Sequence, residues 1–384
     1  MNENMLDRTQ LRTFYLAAAC GLAFLAGPAA ACNTPVFRYA LERWEPDIYG
    51  VLVFHEGPLD ANAQKAVDFL KKAAADRDTP CNMDVLTVDV SGEIPETVKE
   101  VWEQHKGKPL PRMVAFYPRR FGPAVVAWAG PVTEADARAL LDSPTRQAIY
   151  KHIVSGASAV WVLLEGGEKA KDDAAAQLIQ KQLKTMETEL ELPPQAPDPF
   201  GPPEPEGGPP LKISFPLVRL PRQAPGEQAF VQMLLNTEAD LKTEYAGEPM
   251  AFAVFGQGRA MWGLVGKGIN ADNVAEVCAF LVGRCSCQVK EQNPGIDMLI
   301  AADWYAAFGP GEAVTAPLAT ALIAPEPDTQ PATQPAAAAA TEKAIADAAG
   351  SSGSLARNTV IALACVGLLA VALVVWAGRR TARA

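Results

Sequence analysis

The chain reads as an α/β protein. It has two tandem domains, each a mixed sheet with flanking helices, and then one C-terminal transmembrane helix. Three observations predict this. Apolar runs of strand length alternate with amphipathic helical stretches, which calls for a sheet with a parallel part. That order occurs twice, and each copy closes on a hairpin led by a proline, Pro111 in the first and Pro249 in the second. Thr359 to Gly378 is an uncharged span of 20 residues, and at about 1.5 Å per residue that crosses a hydrocarbon core of about 30 Å.

The first copy runs as follows. Thr34 and Pro35 read as the cap and first-turn proline of a short helix over Val36–Trp44. Tyr49–Phe54 is an apolar run of strand type. Asp60 caps a helix whose Ala63, Ala66, Val67, Leu70 and Ala74 share one face. Met83–Val90 alternates and reads as a second strand. Pro95 opens a helix over Glu96–His105, with Val98, Val101 and Trp102 inward. Leu110–Phe116 and Ala124–Trp128 then form the hairpin, with Pro111 at its first strand position, where a missing N–H does no harm. Thr133 caps a helix carrying Ala137, Leu140 and Leu141, and Thr145–Val154 is a further helix.

The second copy repeats the order. Ala159–Leu164 is a strand, Lys169–Leu190 a long helix, Ile213–Leu220 a strand and Glu227–Leu241 a helix. The Pro249 hairpin returns through Met261–Val265, and Asn270 or Asp272 caps a last helix with Val274, Val277, Phe280 and Leu281. An internal duplication accounts for the pattern. Gly256-Gln257-Gly258 lies between two strands, not between strand and helix, so it reads as a turn and not as a dinucleotide fingerprint.

The ends speak for a compartment. Arg8 and Arg12 precede the apolar run Phe14–Leu25, and small residues follow, so residues 1–31 read as an export signal. Cys32 is then near the mature N-terminus, either plain or lipidated as in bacterial lipoproteins. Domain 1 covers 32–156 and domain 2 covers 157–308, with a Pro-rich insert at 193–210. Residues 309–358 are Ala, Pro, Thr and Ser, unable to bury enough apolar surface to offset ordering, and read as a stalk. The span at 359–378 is followed by a tail, 379–384, with Arg379, Arg380 and Arg383 on the cytoplasmic side. The domains are therefore expected on the extracytoplasmic side of a cell membrane. A net charge of -10 argues against nucleic acid as a partner.

In strand and helix order, and in a proline directly before the third strand, both copies resemble the thioredoxin fold. The resemblance covers Tyr49–Ser155 and Ala157 to about Trp304, with Pro111 and Pro249 as the matching prolines. In that family the proline is usually cis and faces a Cys-x-x-Cys motif at the start of the first long helix. Here the equivalent loops are His55–Asp60 and Glu165–Glu168, and neither holds a cysteine. The resemblance thus implies redox-inactive domains of a binding or scaffolding kind, with no cofactor.

Several residues are candidates for chemistry. Cys278, Cys285 and Cys287 form a disulfide, stay as inert thiols, or serve a redox or metal role, since Cys-x-Cys can supply two soft ligands. His55, with Glu56 beside it, is placed for a general base or is simply polar loop surface. Arg119 and Arg120 make a small basic spot that is solvated or meets lipid headgroups or an acidic partner. The expected function is a protein-interaction or scaffold module of a cell-envelope complex, through loops that include His55, Glu56 and Glu165. The alternatives are a thiol redox or metal-handling protein using Cys285 and Cys287, and an enzyme built on His55.

Overall fold

Side chains alternate across a strand, so a sheet covered on both faces feeds two cores from each strand. A computed structural model describes residues 33–76, 80–118, 125–194, 208–285 and 289–308. The export signal, Cys32, Arg119, Arg120, Cys287, most of the Pro-rich insert, the stalk, the apolar span and the tail lie outside the described residues. The chain divides into two units, Met1–Ala324 and Pro325–Ala384, and every described residue belongs to the first. Among the described residues, no helix is long and apolar enough to cross a membrane.

Helix α1 (Val36–Arg43) comes first. In the first sheet, β1 (Tyr49–His55) pairs in parallel with β2 (Met83–Asp89) and antiparallel with β3 (Arg112–Phe116). β4 (Val126–Pro131) pairs antiparallel with β3, giving the order β2-β1-β3-β4. Helices α2 (Ala61–Ala75) and α3 (Glu96–His105) make the crossovers, and α4 (Glu134–Leu141) and α5 (Pro144–Val154) follow. In the second sheet, β5 (Val160–Leu164) pairs in parallel with β6 (Leu217–Leu220) and antiparallel with β7 (Met250–Phe255). Both β8 (Arg259–Ala260) and β9 (Leu264–Val265) pair with β7, and β10 (Ile296–Asp297) extends the sheet beyond β8. Helices α6 (Lys169–Glu189), α7 (Gln228–Leu235) and α8 (Ala271–Val282) complete this half. The architecture is therefore mixed α/β with two mixed sheets and flanking helices.

Alternation assigns the layers. On β1, Val51 and Val53 enter a central core while Leu52 and Phe54 enter an outer one under α3. On β5, Val160, Val162 and Leu164 enter the same central core, and Trp161 and Leu163 enter a second outer one with α6, α8 and α1. The central core holds α2, α4 and α7 between the two sheets, so both halves share it. Full burial of each large apolar side chain there contributes about 1.5–3 kcal/mol.

The two ends of the described chain are exchanged between halves. α1, at the N-terminus, packs on the second sheet: Val36 N–H donates to the Gly283 carbonyl, and Phe37, Ala40 and Trp44 join the core under α6 and α8. Beyond β10, Met298–Phe308 returns over the first half. There Asn82 Nδ2 donates to the Met298 carbonyl at 3.2 Å and the Tyr150 hydroxyl to the Asp303 carbonyl at 3.0 Å, while Met298, Leu299, Ile300 and Trp304 are buried in the central core. Neither this C-terminal strap nor β10 is foreseen by the hydropathy pattern.

Other local expectations are corrected. Pro35, not Thr34, holds the cap position of α1, because the Thr34 carbonyl is taken by the Cys285 N–H at 3.0 Å. The strand expected from Ile213 begins only at Leu217, since Ser214 N–H is bound by the Ser158 hydroxyl and Phe215 N–H by the Glu187 carboxylate. α7 stops at Leu235, and the amide of Asn236 donates to the Ala127 carbonyl of β4 at 2.7 Å. The return strand of the second hairpin is broken at Met261–Gly263. A Cβ on Gly263 would lie 2.8 Å from the Phe252 ring, so the chain folds closely over that ring.

A buried charge cluster closes the exchange. Asp297 on β10 meets Arg259 on β8 at 2.9 Å and Lys290 at 2.7 Å, and accepts the Asp47 N–H at 2.8 Å. Lys290 also reaches the Asp47 carboxylate at 2.6 Å. The Arg259 guanidinium lies 5.8 Å over the Trp44 ring, and the Tyr49 hydroxyl donates to the Asp297 carbonyl at 2.8 Å. Burial works to raise the Asp297 carboxyl, but Lys290 and Arg259 together hold it below the usual carboxylate range. A carboxyl so depressed adds stability at neutral pH that is lost as the pH falls below about 4. Asp297→Asn takes from buried Arg259 and Lys290 the carboxylate they share, with Asp47 left to Lys290, and lowers the unfolding free energy by about 3 kcal/mol. Urea denaturation at pH 7 and pH 3.5 checks both statements: the variant's deficit is large at the first and smaller at the second.

Candidate functional site

The loop that leaves β1 is fixed from both sides. Asp60 caps α2, its carboxylate accepting the Asn62 N–H at 2.9 Å and the Ala63 N–H at 2.8 Å. Gly57 takes a φ of 66°, which its missing Cβ allows, and its N–H donates to the Asp89 carboxylate at the end of β2. Bonds from the Ser91 hydroxyl and N–H, and from Gly57 N–H, hold that carboxyl below its ordinary value.

Across from the start of α2 stands Pro111, directly before β3. The Leu110–Pro111 bond is cis, whereas the bond before Pro249 is trans. Between them opens a groove of about 710 Å³, lined by Asp60, Asn62, Ala63 and Lys65 on one side, Pro109–Arg112 on the other, and Pro131–Glu134 at the end. Among the described residues, the backbone of Leu110 makes no hydrogen bond. Among the described residues, no cysteine, serine or histidine lines the groove.

The charges around it are unequal in freedom. Glu134 is held by Arg138 at 2.7 Å, and Asp60 is occupied as a cap. Arg112 donates through Nε to Nδ1 of His105 at 3.3 Å. An arginine can only donate, so this nitrogen of His105 is the acceptor and Nε2 carries the proton. Nε2 is buried and has no partner among the described residues. Burial, with the Arg112 and Lys108 charges, holds the His105 pKa below its ordinary value.

The second loop, after β5, is built differently. Asp172, buried in α6, accepts the Gly166 N–H at 2.7 Å and the Gly167 N–H at 3.0 Å. Arg222 donates to the Glu165 carbonyl at 2.8 Å and to the Glu248 carbonyl at 3.0 Å, bridging the loop to the residue before Pro249. Arg219 holds the Glu165 carboxylate at 2.6 Å, and Lys171 holds Glu248 at 3.0 Å. A Cβ on Gly166 would fall 2.4 Å from the Gly247 carbonyl oxygen. The gap that is open beside Pro111 is therefore filled by backbone and ion pairs beside Pro249.

His55 and Glu56 lie on the first loop but do not line the groove. The His55 ring turns back and donates through Nδ1 to the Gly57 carbonyl at 2.7 Å, and Glu56 is exposed. Cys278 is buried in α8 with a free thiol, its pKa pushed up to about 12 by burial. Cys285 is buried just beyond that helix. Cys81 is also a buried free thiol, likewise raised to about 12 by burial against the pull of Arg146. Among the described residues no cluster of three or more metal-ligating side chains occurs. Of the groove residues, Leu110 and Thr133 were read in the sequence only as hairpin and helix-cap positions, and Arg112, Glu134 and the support from His105 were not read as site residues. The signal for this place was Pro111, the proline before the third strand that faces the loop ending at Asp60. Comparison with family models, with curated proteins and with solved structures returns no match to the chain.

Thiols held this high are not nucleophiles at neutral pH. Iodoacetamide at pH 8 is expected to leave Cys81 and Cys278 unmodified in the native protein and to modify both in urea, as read by peptide mass spectrometry. Replacing the cap in Asp60→Ala is expected to cost about 1 kcal/mol, seen as a lowered thermal midpoint.

Proposed function

We propose that the chain is an interaction protein of the cell envelope, held at the membrane by its C-terminal span with its α/β body outside the cytoplasm. In this reading its halves are redox-inactive, thioredoxin-like domains in tandem, and the Pro111 groove is the contact site. The groove itself carries the reading. The start of α2 faces a cis proline across an open cleft, and among the described residues no thiol lines it. Such a cleft suits an extended segment of a partner, held by main-chain hydrogen bonds and by side-chain fit. The laced second loop leaves that half as a support for the shared core. An enzyme using His55 draws less support, since His55 is bonded to its own loop and stands outside the groove. A redox or metal role through Cys285 and Cys287 draws less support too, since Cys285 is 2% exposed.

Location and contact are tested together. A photo-crosslinking residue at Asn62 is expected to yield a protein adduct in native membranes, while the same residue at Lys169 yields none. Protease added to intact spheroplasts is expected to digest the body; full protection contradicts the proposed side of the membrane. An insulin-reduction assay on the purified chain is expected to show no turnover.

A further inference from the structure

Between the end of α3 and the start of β3 the chain turns through Lys106–Pro111, and a side-chain bond spans that turn. Arg112 Nε donates to Nδ1 of His105 at 3.3 Å. Arg112 shares its face of β3 with Val114 and Phe116, which lie in the outer core under α3, so the bond ties the strand to the helix that covers it. The cross-strand neighbours of Arg112, Phe54 on β1 and Pro131 on β4, carry no charge. The bond needs a neutral imidazole, because an arginine can only donate. The surroundings of His105 oppose a second proton. The ring is buried. The charges acting on it come from Arg112 on β3 and Lys108 in the turn, both positive, while Glu103 on its own helix meets Lys106 at 3.5 Å. Among the described residues no carboxylate bonds either ring nitrogen, and Nε2 is buried without a partner. A proton added at Nδ1 removes the acceptor and sets an imidazolium against a guanidinium, a repulsion that burial strengthens.

We propose that His105 and Arg112 are an acid-sensitive latch: neutral His105 holds the start of β3 against the end of α3, and its protonation releases Lys106–Arg112, whose last four residues wall the groove. The latch belongs to the fold and needs no partner in the groove. The sign follows from linkage. The imidazole is harder to protonate when held than when released, so the latch is whole above the ordinary histidine value of about 6.5 and weakens as the pH falls below it. The Asp297 carboxylate gives way only below about 4, which leaves a window in which the latch opens while the buried charge cluster is intact.

The test is hydrogen exchange of the purified full-length chain, read by mass spectrometry at pH 7 and pH 4.5 and corrected for the intrinsic rate. Peptides spanning Lys106–Met113 are expected to exchange about tenfold faster at pH 4.5, while those of β5 keep their protection. His105→Asn, which keeps an acceptor near the place of Nδ1 and does not titrate in this range, is expected to show the same protection at both pH values. Arg112→Gln removes the repelling charge, and the pH effect shrinks. Equal protection of Lys106–Met113 at the two pH values in the unaltered chain overturns the latch. A loss at pH 4.5 that persists in His105→Asn overturns it too, since another group then titrates, and so does a pH effect undiminished by Arg112→Gln.

Discussion

The Asp297 carboxylate is the constraint on which the exchange of ends depends. It lies in the interior, where a lone charge is not tolerated, and its partners come from three separate places in the chain. Arg259 belongs to the second hairpin, Lys290 to the segment after α8, and Asp47 to the lead-in of β1. None of these is adjacent in sequence: Arg259 reaches Asp297 through the pairing of β8 with β10, and Asp47 reaches it from the segment between α1 and β1. The cluster therefore does little that an apolar patch could not do for stability alone. What it specifies is the pairing of β10 with β8 and the position of the segment between α1 and β1.

The central core makes a similar demand on Arg146. This residue of α5 is fully buried, and burial lowers its pKa to about 10. Its guanidinium donates to the Leu140 and Ala139 carbonyls at the end of α4 and to the Leu299 carbonyl of the strap. It also faces the Phe230 ring of α7. The orphan carbonyls at a helix end are a natural place for a cation. Here one arginine joins the end of α4, the strap and α7. Glu227 completes the contact from the other half, accepting the Thr145 N–H at the start of α5 at 2.7 Å.

These joints explain why two halves of similar element order differ in their loops. The second half is covered by α1, crossed by the β8–β10 extension, and laced at Gly166–Gly167 by Arg219, Arg222 and Lys171. The first half keeps its groove beside Pro111. Of the two loops in corresponding places, one is laced by backbone contacts and ion pairs and the other borders an open groove.

Sequence by itself determined the local elements. Apolar runs of strand length placed β1, β5 and β7 and an alternating run placed β2, while Asp60 and Thr133 cap the helices assigned to them and Asn270, of the two residues offered, caps the last, because a cap bond is made within three residues. The two prolines marked the starts of β3 and β7 for a reason equally local. Tertiary structure decided the rest. Hydropathy does not say which sheet a helix covers, so α1 could not be assigned to the far half from its own residues. Ile296–Phe308 has no period to read, and its order comes from hydrogen bonds to Asn82, Arg146 and Tyr150, more than 150 residues away. Whether a loop beside a proline is open or filled depends on Arg222 and on the missing Cβ of Gly166, contacts that exist only once β5, β6 and β7 lie side by side.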